Sequence, residues 1–110
     1  MIQIRYVETG DSRSLLVEGH AGYAPAGQDI VCAAVSVLTC TLAQCLQEIE
    51  RKGHIRLDTL AMLPGDTDMQ WTVIGDKQES HGLLHVIWTG YVLLARTYPN
   101  HVTVSPNITD

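Results

Sequence analysis

His20 and Cys32 are of types that together can make and break an acyl bond. They flank a loop in the stretch Gly19-His20-Ala21-Gly22-Tyr23-Ala24-Pro25-Ala26-Gly27-Gln28-Asp29-Ile30-Val31-Cys32. A deprotonated thiol is a strong nucleophile, and an imidazole is the side chain best matched to take its proton near neutral pH. Asp29 has the chemistry of a helix N-cap, because its carboxylate can accept from an unpaired N–H of the first turn. With Asp29 as cap, Cys32 is the third helical residue. Helical side chains tilt toward the N-terminus, so the sulfur leans toward the N–H groups there. Their partial positive charge favours a thiolate. The Asp29 carboxylate opposes that unless the cap occupies its charge, and a histidinium at His20 would outweigh it.

Each of these residues has a plainer reading. Cys32 is followed by Ala-Ala-Val and could be a small buried hydrophobe. The loop at 21–29 is longer than most connections, and reads either as a lid or substrate-contacting segment or as a plain strand-to-helix link. Gly22, Pro25 and Gly27 suit a segment shaped for access or motion. Tyr23 could stack on a peptide side chain or pack the loop down. Ser36, one turn beyond Cys32, either orients a partner near the sulfur or bonds back to a helix carbonyl.

Gly19-His20-Ala21-Gly22 followed by Gly27-x-Asp29-x-Val31-Cys32-Ala33-Ala34-Val35-Ser36 resembles the signature of the bacterial ribosomal-processing cysteine protease family, Prp. The match is dense over about twenty residues. The rest of the chain is similar in layout and length, although few motif residues lie beyond residue 52. The resemblance implies a protease that trims a short N-terminal extension from a large-subunit ribosomal protein. It implies Cys32 as nucleophile, His20 as proton acceptor and a homodimer. Pro25-Ala26 and Gln28 stand where more polar or basic residues are expected in the family, which bears on the substrate. A related protease acting on a phage structural protein is the nearest alternative. A non-catalytic, dimeric, ribosome-associated binding module and a hydrolase of small acyl substrates are the others.

The elements that must position His20 and Cys32 follow from hydrophobic period. Ile2, Ile4 and Tyr6 alternate with Gln3 and Arg5, giving a strand over 2–7. A turn at Gly10–Arg13 leads to a second strand over 14–20, antiparallel to the first, which delivers His20 to a sheet edge. A helix spans 30–51, with Ile30, Ala34, Val37, Leu38, Thr41, Leu42, Cys45, Leu46 and Ile49 at helical spacing. Its first half is apolar nearly all round, as expected of a helix buried on more than one side. Pro64-Gly65-Asp66 joins strands 55–62 and 69–75 as a hairpin. A second helix covers 79–98, stopped by Pro99. A short strand at 101–105 precedes a loosely held tail at 106–110. The order β-β-α-β-β-α-β predicts an α+β fold. Two helices would pack on one face of a mixed, mostly antiparallel sheet, in one domain over residues 1–110.

Composition narrows the function classes. Apolar residues make up 45% of the chain, enough for a core, and Trp71, Trp88 and the tyrosines replace the absent phenylalanine. Seven scattered basic residues and a net charge of −5 argue against nucleic-acid binding and suit a basic peptide partner. No stretch reads as a membrane span of about 18 apolar residues, and the start is not a signal peptide, so a cytoplasmic location is expected. Three cysteines without zinc spacing, Cys32, Cys40 and Cys45, argue against a disulfide framework, and Cys40 and Cys45 read as structural. His81 and His85 share a helix face without a third ligand nearby. Asp66 and Asp68 fall short of a calcium loop, so no metal or other cofactor is expected.

Overall fold

The computed structural model describes residues 1–109. β1 (Ile2–Thr9) and β2 (Ser12–Glu18) form a hairpin, α1 (Ile30–Arg51) follows, and β3 (Ile55–Leu63) and β4 (Asp66–Val73) form a second hairpin. α2 (Gln78–Thr97) then leads to β5 (Val102–Thr109). The sheet order is β3-β4-β2-β1-β5; every pair is antiparallel except β1 with β5. This is the expected two-layer α+β arrangement on a mixed, mostly antiparallel sheet.

Strand alternation builds the interface between the layers. Ile2, Ile4, Tyr6, Leu15, Val17, Met69, Trp71, Val73 and Val102 are all buried, while their neighbours carry the polar face. An extra residue at Asp58 bulges β3, so that Leu57 and Leu60 both turn toward the helices. β2 begins earlier than its apolar pattern suggests and includes Arg13, a buried cation facing the helix layer. Arg13 Nε pairs with Glu8 Oε1 at 3.2 Å, its Nη1 donates to the Gly10 carbonyl at 2.6 Å, and its Nη2 lies 3.1 Å from His81 Nε2. A guanidinium only donates, so that His81 nitrogen is an acceptor and is already engaged. The described residues contain no cluster of three metal-ligating side chains.

Two expectations fail for identifiable reasons. The tail is not loose: 106–109 continue β5 in parallel register with Tyr6 to Thr9, and Asp110 lies outside the described residues. Pro106 is tolerated because β5 is an edge strand. The apolar stripe of α1 is also rotated. Val31, Val35, Thr39, Leu42, Ala43, Leu46 and Ile49 are buried, whereas Ile30, Val37 and Thr41 are exposed. Where a helix is apolar all round, spacing alone does not select which face meets the sheet. That breadth also makes α1 long and apolar enough, by length and composition alone, to cross a membrane. A third of that apolar window is buried, and Ile30 and Val37 face outward beside α2.

α1 and α2 cross at Gly90, where an added Cβ would stand 2.9 Å from both Leu38 methyl carbons. The Thr39 hydroxyl lies 2.7 Å from the Tyr91 hydroxyl within this interface, and burial pushes the Tyr91 phenol up to about 12.

Candidate active site

The strand that carries the histidine ends sooner than the pattern predicts. Gly19 adopts φ +93 and breaks β2 after Glu18, so His20 sits beyond the strand, exposed. A side chain at Gly19 would overlap the Met1 carbonyl oxygen. The Gly19 N–H donates to the Gly65 carbonyl at 2.9 Å, tying this break to the β3–β4 turn. The His20 ring lies against that turn: a Cβ at Gly65 would fall 2.5 Å from His20 Nε2. The Met1 amine donates to the His20 carbonyl at 2.6 Å.

Cys32 follows from the cap. Asp29 is the N-cap of α1, in extended backbone, and its Oδ1 accepts from the Val31 and Cys32 N–H groups at 3.0 and 2.9 Å. Its Oδ2 accepts from the Tyr23 and Ala24 N–H groups at 3.1 and 3.4 Å. One carboxylate thus pins the loop onto the helix start. These bonds, that from Cys32 first, hold the Asp29 carboxyl below its ordinary value. They also correct the expectation of free first-turn N–H groups, since Val31 and Cys32 donate to the Asp29 side chain and Ala33 to its carbonyl. The donor that does reach the sulfur comes from the loop: the Ala21 N–H points at Cys32 Sγ at 3.3 Å.

Cys32 is half-buried, and no hydrogen bond joins it to His20. Both line a cleft of about 420 Å³ running along the Cys32–Ser36–Cys40 row of α1 to the β3–β4 turn at Met62–Thr67. Both also line a second cavity of about 540 Å³ beneath the loop, bordered by Gly22, Gly27, Asp29 and Ser36. The pair therefore stands where two open spaces meet, one on each side of the sulfur. Ser36 is exposed to both, and no bond ties its hydroxyl back to the helix among the described residues, in contrast to Thr39 and Thr41. Cys40 is exposed in the cleft wall rather than structural, and Cys45 is only half-buried.

Tyr23 packs the loop down. Its ring meets Tyr98 and His101 edge-on, each with centroids 5.4 Å apart. His101 Nδ1 lies 2.9 Å from the Ala21 carbonyl oxygen. His101 has no local signal in the sequence; its relation to Ala21 exists only because β5 pairs with β1.

Asp29→Ala is expected to free the loop as well as the cap. The melting temperature falls by a few degrees and amide exchange in 21–29 accelerates, both readable on one sample. The pH sign follows from the lowered carboxyl. Its contribution is complete above the unfolded aspartate value and is lost as pH falls through the lower folded value. The variant should therefore lose the low-pH step in loop exchange that the wild type shows.

Solved structures share this fold. The chain is similar to a ribosomal processing protease Prp from S. aureus in complex with a covalently linked product peptide, with TM-score 0.81 and 17% identity over 97% of this chain and 100% of that one. It is similar to SMU.848 from Streptococcus mutans, with TM-score 0.73 and 27% identity over 99% and 96% of the two chains. The S. aureus protease with a substrate peptide matches at TM-score 0.72 and 14% identity, over 97% and 100%. Among curated proteins none matches the chain. The family model of cysteine protease Prp matches residues 1–103, a span that contains both cavities and every residue around Cys32, and the chain belongs to that family of cysteine proteases.

Proposed function

We propose that this protein is an endopeptidase that removes a short N-terminal extension from a large-subunit ribosomal protein, with Cys32 as nucleophile and His20 as proton acceptor. The observation that carries the reading is the meeting of a half-buried thiol, an exposed imidazole and a loop N–H at one open cleft. The S. aureus protein of the same fold is a ribosomal processing protease with a peptide covalently linked, which supports a protein substrate here.

His20 takes the thiol proton and Cys32 Sγ attacks the scissile carbonyl, forming a C–S bond. The C–N bond then breaks, His20 returns the proton to the leaving amine, and water later cleaves the thioester. Negative charge on the carbonyl oxygen needs a donor near the sulfur. With the Val31, Cys32 and Ala33 N–H groups committed to Asp29, the Ala21 N–H is the donor aimed at the reacting atom. His20 reaches the sulfur by turning away from Gly65 once substrate fills the cleft. Asp29 and Ser36 support the site, and Gly22 and Gly27 give the loop its shape beside the substrate.

The test is incubation of an N-terminally extended large-subunit ribosomal protein with the enzyme, read by intact mass. One defined cut near the N-terminus is expected. No cut, together with fast alkylation of Cys32, would move the substrate to another class, of which a phage structural protein is the first to try.

The reading includes a homodimer in the cytoplasm, where three free cysteines suit a reducing compartment. The outward face of α1 and α2 supports it: Ile30, Val37 and Leu93 are each more than half exposed and lie side by side along one apolar groove. Sedimentation should give about twice the 12.1 kDa chain mass, and Val37→Asp should give the monomer. A wild-type monomer at micromolar concentration removes the dimer from the reading.

A further inference from the structure

Ala21 joins three parts of the site. It follows His20 directly in the chain, its N–H donates to Cys32 Sγ at 3.3 Å, and its carbonyl faces His101 Nδ1 at 2.9 Å. A carbonyl only accepts, so His101 Nδ1 carries the proton and donates. Ala21 is 2% exposed, so water does not substitute for either bond readily. The position of this one peptide therefore decides where a donor meets the sulfur and where the His20 side chain originates.

His101 is itself fixed from elsewhere. Its N–H donates to the Tyr98 carbonyl at 2.9 Å and its own carbonyl accepts from the Ile2 N–H at 2.8 Å. Its ring is flanked edge-on by Tyr23, whose other neighbour is Tyr98 at the end of α2. The His101 backbone is thus held at the start of β1 and at the C-terminus of α2, neither of which forms the loop, while its ring meets the loop at Ala21 and Tyr23. Its place in the fold is rigid, and its single polar contact with the site is the Ala21 carbonyl. His101 lines neither cavity beside Cys32.

We infer that His101 is a positioning residue for the Cys32–His20 pair: by holding the Ala21 carbonyl it aims the Ala21 N–H at the Cys32 sulfur. This rests on Cys32 being the nucleophile. His101 does not touch the sulfur, and it exchanges no proton with it. Alkylation proceeds through the thiolate, and an N–H held on a sulfur stabilises negative charge there, so displacing the Ala21 peptide slows it.

Two variants separate the bond from the packing. His101→Phe keeps an aromatic ring against Tyr23 and removes the donor. His101→Asn gives up the ring but sets an amide N–H where Nδ1 was. The readout is the rate of Cys32 carboxamidomethylation by iodoacetamide, with exposed Cys40 as internal reference and circular dichroism as the fold control. Roughly a tenfold slower Cys32 is expected in His101→Phe, with His101→Asn within about threefold of wild type. An equal or faster rate in folded His101→Phe, or equal losses in both variants, overturns the inference alone. A wild-type Cys32 no faster than Cys40 overturns the nucleophile reading and the inference with it. Should the variants not fold, the imidazole nitrogen spectrum of the wild type decides. A neutral ring protonated on Nδ1 supports the bond, and one protonated only on Nε2 removes it.

Discussion

Cys32→Ala is expected to abolish peptide cleavage in a protein that still folds. The nucleophile has no substitute within the site: Cys40 is two helical turns away along the same row, and Ser36, although exposed to both cavities, carries a hydroxyl, a much weaker nucleophile than a thiol at its free pKa. Removing the nucleophile of a protease that works through a covalent intermediate lowers kcat by ~10⁴-fold or more, below ordinary detection. The fold should lose little. Cys32 is half-buried and its sulfur accepts one N–H, from Ala21, a net contribution of about 1 kcal/mol. A melt within several degrees of wild type and an uncut substrate by intact mass are the paired results. Cys40→Ala and Cys45→Ala serve as controls and should keep the cut, since neither sulfur is within the Asp29–Ala21 network. A Cys32→Ala protein that still cuts at the same bond would falsify the assignment.

Much of this site lies within one stretch of chain, and local chemistry makes it legible. Asp29 as cap, Cys32 in the first turn and a glycine-bearing loop between them are short-range facts, and the helix begins where the cap predicts. The strands are legible because period two is local as well. What escapes a reading of the residues is whatever depends on pairing across distance. The parallel β1–β5 pair joins the two ends of the chain, and with it come the ordered 106–109 and the His101–Ala21 bond. The face of α1 escapes because its first half is apolar on all sides, so that burial is decided by packing against the sheet and not by spacing. The commitment of the first-turn N–H groups is subtler. The same residue type that marks a helix start also consumes the donors that a helix start offers, and here one Asp29 oxygen takes two of them while the other holds the loop.

His20→Ala carries the second large effect, and it tests the half of the pair that the geometry leaves apart. The ring is exposed and rests on Gly65 rather than on the sulfur, so its loss should cost almost nothing in stability, within about 0.5 kcal/mol for a surface side chain. Its effect on rate should be large. Proton transfer by a positioned imidazole contributes about 10²–10⁴-fold, and His20 is asked for two transfers, one from the thiol and one to the amine. A fall in kcat of ~10³-fold is expected, with KM little changed because the cleft walls stay. The space left beside Gly65 is open to the cleft, so added imidazole should restore part of the rate in His20→Ala and none in Cys32→Ala. Two nearby groups are not free to take over as base. Asp29 is engaged by four N–H groups, and His101 faces a carbonyl. Unchanged turnover in a folded His20→Ala would mean that the thiol loses its proton to solvent, to the substrate itself or to Asp66, which lines the same cleft. The role of His20 would then reduce to its backbone, which carries Ala21 to the sulfur.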